Sequence, residues 1–161
     1  MKKLFLLGVF VIGFISLTNA QDISKNAIGL RIGDSDGFGT EVSYQRALSE
    51  DNRLEVDLGW RSGRNYNGFK LAGLYQWVWH LDGDFNWYAG AGGGFGSYGY
   101  DSYNNKKDYN ETFAFLAGDV GIEYSFDFPL LLSLDFRPEL GFGDSNNDLD
   151  FDIGLGVRYQ F

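Results

Sequence analysis

The last thirteen residues, Leu149-Asp150-Phe151-Asp152-Ile153-Gly154-Leu155-Gly156-Val157-Arg158-Tyr159-Gln160-Phe161, decide the fold. Every odd-numbered position is apolar or aromatic, and every even-numbered one is polar or glycine. A period of two over that length describes a β-strand with one greasy face and one polar face. Strands of soluble sandwiches run about 5–6 residues, whereas a tilted strand crossing a bilayer needs about 9–11. The stretch therefore reads as a membrane strand.

The same alternation recurs upstream. Ile28, Leu30 and Ile32 alternate with Gly29, Arg31 and Gly33. Phe38, Thr40, Val42 and Tyr44 alternate with Gly39, Glu41, Ser43 and Gln45. Leu54, Val56, Leu58 and Trp60 alternate with Glu55, Asp57, Gly59 and Arg61. A fourth strand over about 68–81 sets Phe69, Leu71, Tyr75, Trp77 and Trp79 against Lys70, Ala72, Gln76 and His80, with Leu74 and Val78 in the polar phase. A fifth, from Trp87 to about Tyr98, places Tyr88, Gly90, Gly92, Gly94 and Gly96 on one face. A sixth sets Leu116, Val120, Ile122, Tyr124 and Phe126 against Ala117, Asp119, Gly121, Glu123 and Ser125. Both phases are apolar near Phe113 to Phe115, which predicts a bulge or register change there. A seventh sets Leu132, Leu134, Phe136, Leu140 and Phe142 against Ser133, Asp135, Arg137, Glu139 and Gly141, with Pro138 in its apolar phase.

These are eight strands. Their connections alternate between two sides: Leu48 to Asn52, Leu81 to Asn86 and Asp127 to Pro129 are short, while Asp34 to Gly37, Ser62 to Asn67, Ser97 to Glu111 and Gly143 to Asp148 lie on the other side, the longest of them spanning 15 positions. Short turns on one side and longer loops on the other are the pattern of a transmembrane barrel, with both termini on the short-turn side. The fold class expected is all-β, an antiparallel eight-stranded up-and-down transmembrane β-barrel. Glycine, at 23 residues, and aromatics, at 18% of the chain, suit its curvature and its interfaces.

The N-terminal stretch MKKLFLLGVFVIGFISLTNA carries Lys2 and Lys3, then an uncharged apolar run from Leu4 to Leu17, then Thr18-Asn19-Ala20. That is the layout of a secretory signal peptide cut between Ala20 and Gln21. The run is shorter than the ~20 residues a helical span needs. The expected organisation is a signal peptide over 1–20 and an outer-membrane β-barrel domain over 21–161, with localisation in a bacterial outer membrane. Losing Lys2 and Lys3 takes the 13 Lys and Arg down to 11, against 22 Asp and Glu. So acidic a chain argues against nucleic acid, whose phosphates demand positive charge. The absence of cysteine excludes disulfides and thiolate metal sites.

A charge facing lipid near the midplane costs roughly 2–4 kcal/mol, so the uncharged phase must face outward. The polar phase then points inward and forms an interior network of Arg31, Glu41, Glu55, Asp57, Arg61, Asp119, Glu123, Asp135, Arg137, Glu139, Asp152 and Arg158, with Lys70 near them. Eight strands leave an interior that only side chains fill, so these groups are expected to pair as a plug. The acids outnumber the bases, so some acids are expected to be protonated, hydrated or near the rims.

Leu155, Val157, Tyr159 and the terminal Phe161 resemble the C-terminal barrel-assembly signal of bacterial outer-membrane proteins. Residues 22–161 as a whole resemble the small eight-stranded barrels of the OmpA/OmpX type. The resemblance implies outer-membrane lipids as surroundings and the barrel-assembly machinery as a partner during biogenesis. It also implies a role among envelope stabilisers, adhesins, host-factor binders or a few lipid-modifying enzymes. The chain is expected to lack the peptidoglycan-binding domain that some relatives carry.

Enzymes of this fold that deacylate lipid A use a Ser/His/acid set on the outer side. The single histidine, His80, falls at the short-turn end of an inward phase, away from that side, and is expected to be a rim residue. No nucleophile-elbow, paired-carboxylate or histidine metal motif occurs, and no cofactor is expected. Asp34-Ser35-Asp36-Gly37 and Asp144 to Asp148 have calcium-loop composition but lack the EF-hand spacing, so they read as turns. Gly92-Gly93-Gly94 has no helix after it and reads as a strand kink rather than a phosphate cradle. Tyr98, Tyr100, Tyr103 and Tyr109, set among Asn, Lys and Asp, are candidates for loop-mediated binding of a protein or surface ligand. The functional class expected is a structural or interaction barrel without catalysis. A narrow pore for small solutes or ions, and a soluble lipocalin-like barrel, are the alternatives.

Overall fold

The computed structural model describes residues 23–33, 39–62, 66–100, 109–143 and 148–161. The expected signal peptide, Tyr103, and the Asp34 to Gly37 turn with most of Asp144 to Asp148 lie outside the described residues. Eight antiparallel strands close into one barrel: β1 (Asn26–Ile32), β2 (Thr40–Ala47), β3 (Asn52–Ser62), β4 (Tyr66–Asp82), β5 (Phe85–Tyr100), β6 (Tyr109–Ser125), β7 (Leu130–Gly143) and β8 (Leu149–Gln160). Each strand pairs with its neighbour in sequence, and β1 pairs with β8, where Leu30 faces Val157. Closure leaves no free sheet edge along the paired length, which is what a backbone without water partners requires.

The two phases separate as the period dictates. Leu30, Val42, Leu58, Tyr75, Phe95, Val120, Phe136 and Leu155, one from each strand, all point outward and are exposed. Arg46, at the short-turn end of β2, and Asp82, which an irregularity after His80 sets opposite outward Phe85 at the short-turn end of β4, are the charged residues in the outward phase of the described strands. Asp135, Arg137 and Arg158 are 4%, 0% and 0% exposed, inside the barrel. A water-soluble lipocalin-like barrel needs the opposite arrangement, with apolar groups within and charges without. The structure overturns that alternative.

Three expectations change. First, pairing of β5 with β6 runs from Phe85↔Tyr124 to Tyr100↔Tyr109 in a single register, so there is no bulge near Phe113 to Phe115. Instead the inward phase itself turns apolar. Phe113, Phe115 and Ala117 pack inside the barrel with Ala72 and Leu74, and Tyr98 lies against them. Second, Ser97 to Glu111 is not all loop, because β5 continues to Tyr100 and β6 starts at Tyr109. Third, Pro138 acquires a reason. Pairing between β6 and β7 lapses at Gly118 and Asp119, opposite Pro138 and Arg137, and resumes in the same register. Proline lacks the N–H that the ladder needs, and side-chain-free Gly118 faces the ring, which lies 3.3 Å from where a Cβ would stand.

The glycine face of β5 is the complement of the phenylalanines of β6. A Cβ on Gly94 would stand 2.6 Å from the Phe115 ring, and one on Gly96 would stand 2.5 Å from the Phe113 ring. The rings occupy the space that the adjacent strand leaves empty. At the β4–β5 turn, Gly83 adopts φ of 56°, a conformation that a side chain disfavours. On the outer surface just before that turn, Trp79 stacks on Trp87 across the strand pair, with centroids 4.4 Å apart. Outward rings continue around this end through Phe85, Tyr124, Phe126 and Phe128, as in an interfacial aromatic belt.

Gly94→Ala is expected to destabilise the barrel by about 1–3 kcal/mol through overpacking against the Leu71 carbonyl of β4 and the Phe115 ring. Gly73→Ala, on the outer face with nothing within 4 Å of its Cβ position, is expected to stay within about 0.5 kcal/mol of the parent. Urea midpoints of detergent-folded protein measure both.

Candidate functional site: the charged interior

Polar side chains from all eight strands meet inside the barrel. Among the described residues, the buried carboxylates are Glu41, Glu55, Asp57, Asp119, Glu123, Asp135, Glu139 and Asp152, and the buried cations are Arg31, Arg53, Lys70, Arg137 and Arg158. Each is inward because it shares the even or odd phase of its strand with the other interior positions.

Arg31 on β1 joins four strands. Its Nη1 donates to Asp152 on β8 at 2.6 Å and to Glu41 on β2 at 3.2 Å, while Nε donates to Asp135 on β7 at 3.0 Å and Nη2 to the same carboxylate. Gly154, next along the interior face of β8, lets the guanidinium lie against that strand, since a Cβ there would collide with Arg31 Cζ. Arg137 reaches across from β7 to β3, donating to Asp57 at 2.7 Å and Glu55 at 3.1 Å, and lies 3.5 Å from Glu41. Glu41 thus bridges Arg31 and Arg137. Glu55 bridges Arg137 and Arg158, the latter at 3.2 Å. Arg158 also donates to Ser43 at 2.9 Å and Ser133 at 2.8 Å. The result is one continuous ionic web from Asp152 to Arg158, with forked donors meeting carboxylates as guanidinium geometry favours.

Two satellites flank the web. Toward the short turns, Arg53 pairs with Glu123 at 2.7 Å, donates to Gln76 at 2.6 Å and lies over the Tyr88 ring, 4.7 Å from its centroid. Toward the loops, Lys70 pairs with Glu139 at 2.5 Å and lies 4.7 Å from the Phe115 centroid, a cation over a ring face. Between Phe113, Phe115, Glu139, Gly141, Asp148, Leu149 and Asp150 a cavity of about 220 Å³ opens on the loop side.

Eleven of the twelve residues expected in the network are buried together; Arg61 is not. It has the inward phase but lies at the loop end of β3, beyond the packed interior, and is exposed. Arg53 was missed because the alternation from Leu54 onward hides a strand that begins at Asn52; extending the phase of Glu55 and Asp57 by one step finds it. Tyr98 does not face a loop ligand. It lies half-buried inside, stacked on Phe113 with centroids 5.4 Å apart, because β5 carries its inward phase that far. Tyr100 and Tyr109 occupy partner positions at the loop ends of β5 and β6. Leu155, Val157, Tyr159 and Phe161 all point outward. His80 is half-buried at the short-turn end, its Nδ1 3.4 Å from Asn86 Oδ1.

Arg137→Met would leave Glu41, Glu55 and Asp57 short of a cation, and removing one member of a buried ionic group costs about 3–5 kcal/mol. Arg61→Met at the exposed rim is expected to change stability by less than about 0.5 kcal/mol. The difference in urea midpoints between the two variants checks the assignment.

No family model and no curated protein sequence matches this chain. Solved structures do. Neisserial surface protein A (NspA) superposes with a TM-score of 0.60 at 16% identity, covering 84% of this chain and 94% of its own. The N-terminal β-barrel domain of Pseudomonas aeruginosa OprF gives 0.63 at 15% identity, covering 86% and 98%. Ail, the attachment invasion locus protein of Yersinia pestis, solved with the heparin analogue sucrose octasulfate, gives 0.55 at 15% identity, covering 86% and 97%. With its closed ring of eight antiparallel strands, this chain has the fold of the small eight-stranded outer-membrane barrels.

Proposed function

We propose that this chain is an integral outer-membrane protein, exported behind a signal peptide cut near Ala20 and Gln21, and that its barrel serves the envelope as a structural and interaction element without catalysis. The observation that carries this reading is the inverted polarity: outward strand faces free of charge but for Arg46 and Asp82 at the short-turn end, wrapped around a charged interior. Only a hydrocarbon surrounding makes that arrangement favourable. The outward Leu155, Val157, Tyr159 and Phe161 suit a strand that assembly machinery reads from the lipid side. The three solved structures of the same fold are a surface protein, an N-terminal β-barrel domain and an attachment invasion locus protein, which fits an envelope role.

The interior favours this reading over a pore. Arg31, Lys70, Arg137 and Arg158 have no exposed surface, so the web stands as a plug where a conducting path would have to run. Partners belong at the loop rim, where Tyr100, Tyr103 and Tyr109 remain the candidates. With Lys2 and Lys3 removed, 11 Lys and Arg against 22 Asp and Glu leave a net charge of −11, which repels sulfated polyanions such as the analogue bound to Ail, so a neutral or basic protein surface suits this rim better.

Three measurements test the reading. The protein is expected in the outer-membrane fraction, migrating differently on gels with and without boiling. Soluble recovery with heat-independent migration would refute it. Refolded protein in planar bilayers is expected to give no discrete conductance steps; regular steps would favour the pore. Tyr159→Gln combined with Phe161→Gln is expected to cut the assembled fraction several-fold while leaving the interior web intact.

A further inference from the structure

The interior does not balance electrically. Its eight buried carboxylates face five buried cations, a deficit of three positive charges among the described residues. Seven of the eight carboxylates lie within ion-pair distance of an arginine or lysine. Asp119 is the exception. It is 2% exposed, its Oδ2 accepts a 2.5 Å hydrogen bond from Gln76 Nε2, and its Oδ1 is buried without a partner.

The same Gln76 nitrogen also donates to Glu55 Oε2 at 3.3 Å. A single neutral amide therefore holds two carboxylates, one from β3 and one from β6. The amide cannot turn its oxygen toward them, because Gln76 Oε1 accepts from Arg53 Nε at 2.6 Å. The other charged and titratable groups acting on Asp119 are Asp135 and Arg137 from β7 and Tyr88 from β5. Arg137 is already committed to Glu55, Asp57 and Glu41, and the Tyr88 hydroxyl is itself buried without a partner.

We propose that the lumen binds protons as the barrel closes, and that the Glu55–Gln76–Asp119 group is the site that holds one of them. Two like charges held by one amide in a buried space repel, and a proton on one of them removes that repulsion. It also turns a carboxylate oxygen from an acceptor into a donor. A proton fits better than a metal ion: among the described residues no three acidic or histidine groups converge to ligate one.

The unfolded chain gives up its aspartate protons near about pH 4, so at neutral pH the folded state holds more protons than the unfolded state. The contribution of the held proton to stability is then present in full below that pH and declines as pH rises. Each extra proton held raises the unfolding constant about tenfold per pH unit.

The experiment follows unfolding of the detergent-folded barrel across pH 6 to 9, with Asp119→Asn alongside. Asparagine keeps the shape of the neutral acid, so the variant is expected to fold and to lose up to one tenfold step per pH unit from the dependence, most at the low-pH end of the range. It is also expected to lose intensity in the infrared band of protonated carboxylic acid. Asp135→Asn, which breaks an Arg31 pair, is expected to weaken the barrel while keeping that band. An Asp119→Asn barrel with the parent's pH slope and acid band would overturn the proposal. So would a parent stability that follows sodium or potassium at fixed ionic strength instead of pH, since the compensating charge would then be a metal cation. If Asp119→Asn does not fold, the infrared spectrum of the parent decides alone: no acid band at pH 7 refutes the proposal.

Discussion

The rest of the molecule depends on the pairing of charges that have nowhere else to go. A ring of eight strands is just wide enough to be filled by its own side chains. With the apolar phase turned outward, the polar phase must do the filling. Taking a charge out of water costs several kcal/mol unless partners replace the lost hydration. Arg31 and Arg137 supply those partners by reaching across the lumen, so that β1, β2, β3, β7 and β8 are tied through side chains as well as through their ladders. Long side chains with forked donors are what such spans require, and arginine outnumbers lysine four to one among the buried cations.

The filling has two characters. The middle and the short-turn end are ionic. The loop end on the β4–β6 side is aromatic, with Phe113 and Phe115 lying over the glycines of β5. Size is matched across neighbouring strands, large on one against nothing on the next, as close packing demands. Lys70 sits at the boundary, with a carboxylate on one side and a ring face on the other. The interior thus combines a polar web with a small apolar nucleus, and each sits where the facing strand supplies its complement.

Much of this was legible in the sequence, for a physical reason. Period two is enforced along a membrane strand by the cost of turning a charge to lipid, so the inward set from Arg31 to Arg158 could be read from phase alone. What stayed hidden depended on length and depth. Arg53 lay one residue outside the span judged to be β3. Arg61 had the right phase but too high a position. Tyr98 sat among residues of loop composition, yet a strand that runs past the bilayer keeps its pleat whatever its composition. The two apolar phases around Phe113 to Phe115 resembled a defect because the sequence does not say that glycines lie opposite. That information is in the register between β5 and β6, a long-range fact. Which carboxylates lack a cation could not be read at all, since it depends on how far each arginine reaches across the lumen.

The stacked indoles of Trp79 and Trp87 have a consequence of another kind. They meet because the two residues are register partners on adjacent strands and share the outer face. A slip of one residue would send one ring to the opposite side of the sheet. Two chromophores held this close exchange excitation, so light absorbed by the pair carries a chiral signature that neither ring has alone. The molecule therefore contains its own spectroscopic gauge of whether β4 and β5 have zipped correctly, placed on the surface where it disturbs nothing inside.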